Sequence, residues 1–129
     1  MVLVTGGTGF IGTHLLEWFV AHGESVRALV RRTRLPRSLP AGVETVYGDL
    51  ANGAGLAEAL QGADAVIHLA GVTKALRPQD YYSGNVLATR QLALAMAGRG
   101  IRLVHVSSLA AIGPATPPRR GLTPEGRWC

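Results

Sequence analysis

Cysteine is all but missing from this chain. Of its 129 residues only the last, Cys129, is a Cys, so no intrachain disulfide framework exists and a reducing compartment is expected. Lysine is equally scarce: Lys74 stands alone beside 12 Arg, and together they give a net charge of +5. The one dense basic cluster, Arg31-Arg32-Thr33-Arg34 with Arg37 nearby, has no aromatic residue interleaved to stack on bases. Nucleic acid is therefore not the expected partner. Long apolar runs are absent too. Val2 to Val4 and Ala65 to Ala70 fall far below the roughly 18 residues that cross a bilayer, so no membrane span is expected. The amino terminus enters Met1-Val2-Leu3-Val4-Thr5-Gly6 with no basic region and no long apolar stretch, unlike a signal peptide, and a cytoplasmic protein is expected. His14, His22, His68 and His105 lack the spacing and the Cys or carboxylate company of a metal site. A packing role is expected for each, and Lys74 reads by default as an exposed loop residue.

What is present is apolar and rich in glycine. Hydrophobic residues make up 47% of the chain and there are 17 Gly, a composition that excludes disorder for most of the length and favours one α/β domain with many tight turns. Val2-Leu3-Val4 reads as a strand running into a Gly-rich turn, followed by a helix with Ile11, Leu15, Trp18 and Phe19 at helical spacing. Trp18 and Phe19 are expected in the core, and Gly23 stops the helix. Ser25 to Val30 is the second strand, with Val26, Ala28 and Val30 on one face. Arg31 to Gly42, with Pro36 and Pro40, reads as a loop, and Val43 to Tyr47 as the third strand.

Asn52 to Gly62 predicts a short helix capped by Asn52, and Ala65 to Leu69 a fourth strand covered on both faces. Asp80 to Arg99 predicts one helix with Tyr82, Val86, Thr89, Ala93 and Met96 on its apolar stripe, and Leu103 to Ser107 the fifth strand. Strands alternating with helices imply a doubly wound parallel sheet of the Rossmann type, with strand order 3-2-1-4-5 from right-handed crossovers. Residues 114–129 hold four of the seven Pro and no apolar period, and are expected to be a disordered tail.

Thr5-Gly6-Gly7-Thr8-Gly9-Phe10-Ile11-Gly12 fits both G-x-x-G-x-x-G and G-x-G-x-x-G, and it lies between the first strand and the first helix. In that frame glycines allow the tight turn and the approach of backbone N–H groups to a pyrophosphate, and the helix amino terminus adds its positive end. A nucleotide-hydrolysing P-loop would need Lys then Ser or Thr after Gly12, where this chain has Thr13-His14. Cofactor choice is read at the end of the second strand. No carboxylate stands there to bind a ribose 2′-OH, whereas Arg31 and Arg32 supply two guanidiniums for a 2′-phosphate, so NADP(H) is favoured and NAD(H) is the alternative.

Four more segments follow the glycine loop in order: Gly48-Asp49-Leu50, Val66-Ile67-His68-Leu69-Ala70-Gly71, Asn85-Val86-Leu87-Ala88-Thr89-Arg90 and Val106-Ser107-Ser108-Leu109-Ala110-Ala111-Ile112-Gly113. By these five motifs residues 1–113 resemble the extended short-chain dehydrogenase/reductase family, which includes nucleotide-sugar epimerases and dehydratases and the dihydroflavonol-reductase-like reductases. The resemblance implies a dinucleotide-binding domain over 1–113 that holds the cofactor through Gly6, Gly7, Thr8, Gly9, Phe10, Ile11, Gly12, Arg31, Arg32, Asp49, Leu50, Leu69, Ala70, Gly71 and Asn85. It makes Asp49 the acceptor for the adenine amino group, and Ser108 the active-site Ser that hydrogen-bonds a substrate oxygen. It also implies hydride transfer between nicotinamide and a small hydroxy or keto substrate.

The chain departs from that pattern in three ways. The family's Tyr-x-x-x-Lys pair is missing: Tyr47, Tyr81 and Tyr82 all precede Ser108, and none has Lys four residues on. Gly84 stands where the family usually has an apolar residue, and a Gly inside a helix costs about 1 kcal/mol relative to Ala. Family members also run to more than twice this length. The expectation is an incomplete Rossmann domain, truncated after its fifth strand, with a tail that resembles translation out of frame. Such a chain is expected to bind dinucleotide with negligible turnover, as a stranded enzyme portion or as a non-catalytic NADP(H)-binding sensor or interaction module. An uncovered fifth strand would favour a homo-oligomer.

Overall fold

The computed structural model describes residues 1–32 and 39–112. The expectations for Arg34, Pro36, Arg37, Gly113 and the tail 114–129 lie outside the described residues. Five strands, β1 (Val2–Thr5), β2 (Val26–Val30), β3 (Glu44–Tyr47), β4 (Ala65–His68) and β5 (Arg102–His105), form one parallel sheet in the order β3-β2-β1-β4-β5. This is the doubly wound order expected from the sequence. Helix α1 (Phe10–Ala21) crosses from β1 to β2. A short helix α2 (Leu56–Ala59) precedes β4, and α3 (Pro78–Tyr81), a π-helical turn (Tyr82–Leu87) and α4 (Ala88–Met96) run together before β5.

The alternation along β1 shows why the sheet must be covered on both faces. Leu3 joins one core with Leu29, Leu60, Val66 and Leu92, while its neighbour Val4 joins the other with Leu16, Phe19, Val26, Ala28 and Val30. Leu3, Leu16 and Leu92 have no exposed surface, and burying each contributes about 2–3 kcal/mol. At the other extreme, all of β5 is exposed, and Leu103, Val104 and Val106 are each more than two-fifths accessible.

Three expectations need correction. Trp18 is not core: it is half-exposed, stacked on His22, while Phe19 alone of the pair is buried. The helix expected over 52–62 shrinks to Leu56–Ala59, because Gly53 and Gly55 adopt positive φ. Asn52 accepts instead from the Ala54 amide in a local turn, and Arg27 Nη1 donates to the carbonyls of Glu58, Ala59 and Gln61 at the helix end. Finally, the stripe Tyr82, Val86, Thr89, Ala93, Met96 is displaced. Tyr82, Val86 and Ala93 are exposed; of the expected stripe Met96 alone is buried, and it shares the buried face with Ala88 and Leu92. The π-helical turn takes more residues per turn than an α-helix, so a single 3.6-residue period cannot run through it.

Candidate functional site

A cleft of about 570 Å³ opens at the carboxyl ends of β1, β2 and β4, the edge where open α/β sheets bind ligands. One wall is the glycine loop. Gly6 has φ of +74°, and a Cβ there would lie 2.6 Å from the Ala70 nitrogen, so only glycine lets this turn close against the Leu69-Ala70 backbone that follows β4. Gly12, inside α1, is held as closely: a Cβ would sit 2.2 Å from the Gly6 carbonyl oxygen. Thr13 Oγ1 donates to the Gly9 carbonyl at 2.9 Å and fixes the entry into the helix.

Of the residues expected to hold a cofactor, Gly6, Thr8, Gly9, Arg31, Asp49, Leu50, Leu69, Ala70 and Gly71 line this cleft together. Gly7, Phe10, Ile11 and Gly12 do not. Gly7 in the turn and Gly12 in α1 are buried, with the space of a Gly7 Cβ taken by Leu16, while Phe10 and Ile11 point to solvent. Arg32 lies beyond the cleft over the Tyr47 ring, 5.3 Å from its centroid, in a smaller cavity of about 230 Å³. Arg31, Gly48 and Asp49 line both cavities, so the smaller continues the larger outward. The Asp49 carboxylate accepts from the Ala51 amide at 2.9 Å, which fixes its orientation at the rim.

The opposite wall, Leu69 to Lys74, follows β4. Asn85 lies behind it and outside the lining: its Oδ1 accepts from the Val72 amide at 2.7 Å and its Nδ2 donates to the Val72 carbonyl at 3.0 Å. Gly84 explains itself here. A Cβ would stand 2.2 Å from Val72 Cγ2, and the bare backbone lets the π-helical turn close on the loop. Ser108 lies past the end of β5, exposed, on the same sheet edge but outside the cleft lining.

Lys74 lines the cleft rather than an unrelated surface. His68 does not reach it. The ring is fully buried, with Nδ1 2.6 Å from Thr5 Oγ1 and Nε2 2.9 Å from Thr89 Oγ1, and it stacks on His105. Burial, and secondarily His105, pushes its pKa down to about 4, so the ring is neutral near pH 7. These bonds join residues 63 and 21 positions apart, and nothing in the sequence pattern announced them. Val72, Thr73, Gly84 and Ala88 were likewise missed as cleft residues, although strand-end position marked the first two. Among the described residues no group of His, Cys, Asp or Glu could hold a metal, and no helix is long and apolar enough to cross a membrane.

A glycine-lined cleft at the carboxyl edge of a 3-2-1-4-5 parallel sheet defines a Rossmann-type dinucleotide-binding fold. The family model for the NAD dependent epimerase/dehydratase family matches residues 2–128, and the chain belongs to that family. It is 38% identical over 117 residues to 4-hydroxy-2-methyl-3-oxo-4-farnesyl-3,4-dihydroquinoline-1-oxide ketoreductase of Stigmatella aurantiaca, covering 88% of this chain and 35% of that protein. The chain spans about a third of the length of curated relatives such as this one. Among solved structures it resembles a short-chain dehydrogenase/reductase superfamily protein from Agrobacterium tumefaciens with bound NAD, at TM-score 0.78 and 32% identity, over 100% of this chain and 39% of that one. It also resembles MoeE5 in complex with UDP-glucuronic acid and NAD, at TM-score 0.77 and 32% identity, over 97% and 44% of the two chains.

Proposed function

We propose that residues 1–113 are the NADP(H)-binding portion of an extended short-chain dehydrogenase/reductase that acts on a small hydroxy or keto substrate, as a reductase, epimerase or dehydratase. The observation that carries this is the convergence on one cleft of the glycine loop, the Leu69-Ala70-Gly71 backbone, Arg31 and Asp49. The fit is steric as well as chemical, since the turn is shaped by the missing side chains of Gly6 and Gly12. Amides of the glycine loop would hold the pyrophosphate, with the amino terminus of α1 adding its positive end. Arg31, with Arg32 in the adjoining cavity, would take a 2′-phosphate, and Asp49 would accept from the adenine amino group. Bound there, the nicotinamide supplies or accepts a hydride. Ser108 would hydrogen-bond the substrate oxygen.

The 129 residues carry no Tyr-x-x-x-Lys pair to exchange a proton with a substrate hydroxyl. A polypeptide of these residues alone is expected to bind dinucleotide and turn over nothing.

Titrating the chain with NADPH and NADH, followed by nicotinamide fluorescence, tests both cofactor claims. NADPH is expected to bind more tightly by about tenfold or more, the worth of one charge-assisted phosphate contact. Arg31→Glu with Arg32→Glu should reverse that order. Absence of binding to either nucleotide rejects the dinucleotide reading, and tighter NADH binding rejects the NADP(H) preference. Oxidation of a hydroxy substrate with NADP by the purified 129-residue chain would reject its inactivity.

A further inference from the structure

We propose that Thr5, His68, Thr89 and Asn85 form one directed hydrogen-bond relay that sets the position of the Leu69–Val72 backbone, making buried His68 a positioning residue of the cleft. The proposal rests on the dinucleotide reading of that cleft.

The direction of each bond follows from the groups themselves. Thr89 Oγ1 donates its only proton to the Asn85 backbone carbonyl at 2.6 Å, so toward His68 it accepts, and the imidazole proton must lie on Nε2. Nδ1 is then an acceptor, and Thr5 Oγ1 donates to it. That leaves the Thr5 oxygen as acceptor for the Ala70 amide, at 3.3 Å. At the far end the Asn85 side chain grips both polar groups of Val72. The hydrogen bonds therefore leave the cleft wall at Ala70 and run through β1 and β4 to the Asn85 backbone, and the Asn85 side chain returns to the same wall at Val72. Every donor has one acceptor and the ring is held in one tautomer. A His kept only for packing would not need its two nitrogens matched to hydroxyls whose remaining bonds run to Ala70 of the wall and to the backbone of Asn85, the residue that grips Val72.

Three measurements on the full chain test this. In the long-range ¹H–¹⁵N spectrum at pH 7 the wild-type His68 ring is expected to carry its proton on Nε2, and a proton on Nδ1 overturns the relay without any variant. Thr89→Val, which keeps volume but removes the hydroxyl, should speed amide exchange at Ala70 and Val72 and weaken NADPH binding, each by about tenfold, the worth of one buried hydrogen bond. Thr89→Ser, which restores the hydroxyl, should bring both back to within about twofold of wild type. Wild-type binding with Thr89→Val unchanged in affinity and exchange overturns the positioning role and leaves the dinucleotide reading intact. Failure of the wild-type chain to bind NADPH overturns the dinucleotide reading, whereas unchanged exchange at Ala70 and Val72 in Thr89→Val overturns the relay by itself.

Discussion

On the β1 side of the cleft, backbone lies against backbone. Gly6 and Gly12 bring the turn and helix so close that a single methyl group has no room at either position. On the β4 side the wall stands on side chains instead. Ala70 and Val72 are tied through Thr5, His68, Thr89 and Asn85 to elements far away in sequence. A wall shaped by missing side chains fails through overpacking and is indifferent to pH. A wall held by a buried imidazole fails when a hydroxyl is lost or when the ring is forced to charge.

Gly12→Val should give the largest effect, because the new Cβ would fall 2.2 Å from the Gly6 carbonyl oxygen and neither backbone can yield. A loss of about 3 kcal/mol or more is expected from denaturant midpoints. Next is the pH dependence that only the β4 side should show. The folded-state pKa of His68 is about 4 against an ordinary 6.5, so between those values the unfolded chain binds a proton that the folded chain does not. Stability should therefore fall as pH drops from about 6.5 to about 4, by about 3 kcal/mol, and this contribution should be flat outside that window. His68→Phe should flatten the slope in a pH series of unfolding curves; an unchanged slope would place the titration elsewhere.

Thr5→Val should come third. It strands the His68 Nδ1 acceptor and the Ala70 amide, a loss of about 1–3 kcal/mol that Thr5→Ser should largely restore in the same unfolding assay. Gly9→Ala sharpens the comparison from within the glycine wall. Gly9 has φ of −81°, open to any residue, and its Cβ would stand 3.3 Å from the Gly6 oxygen. A change below about 1 kcal/mol is expected, against the much larger loss at Gly12.

The glycine wall was legible in advance because its physics is local. Spacing of Gly6, Gly9 and Gly12 between an apolar run and a helical period can be read along the chain. The five parallel strands and their order came from the same kind of reading, since period and right-handed crossover depend on neighbours and chirality. Legibility failed where a period changed or a contact closed over distance. The π-helical turn at Tyr82–Leu87 shifted the buried stripe to Ala88, Leu92 and Met96, and positive φ at Gly53 and Gly55 shortened α2.

Gly84 shows the boundary between the two kinds of information. As sequence it is a helix-weakening residue out of place; in the fold it is the only residue that admits Val72. His68 shows it again. Its place in an apolar strand fixed its burial, because alternation along a central parallel strand leaves no solvent face. Only the tertiary structure decided what each of its nitrogens would meet, since Thr5 and Thr89 reach the ring after three separate elements have packed.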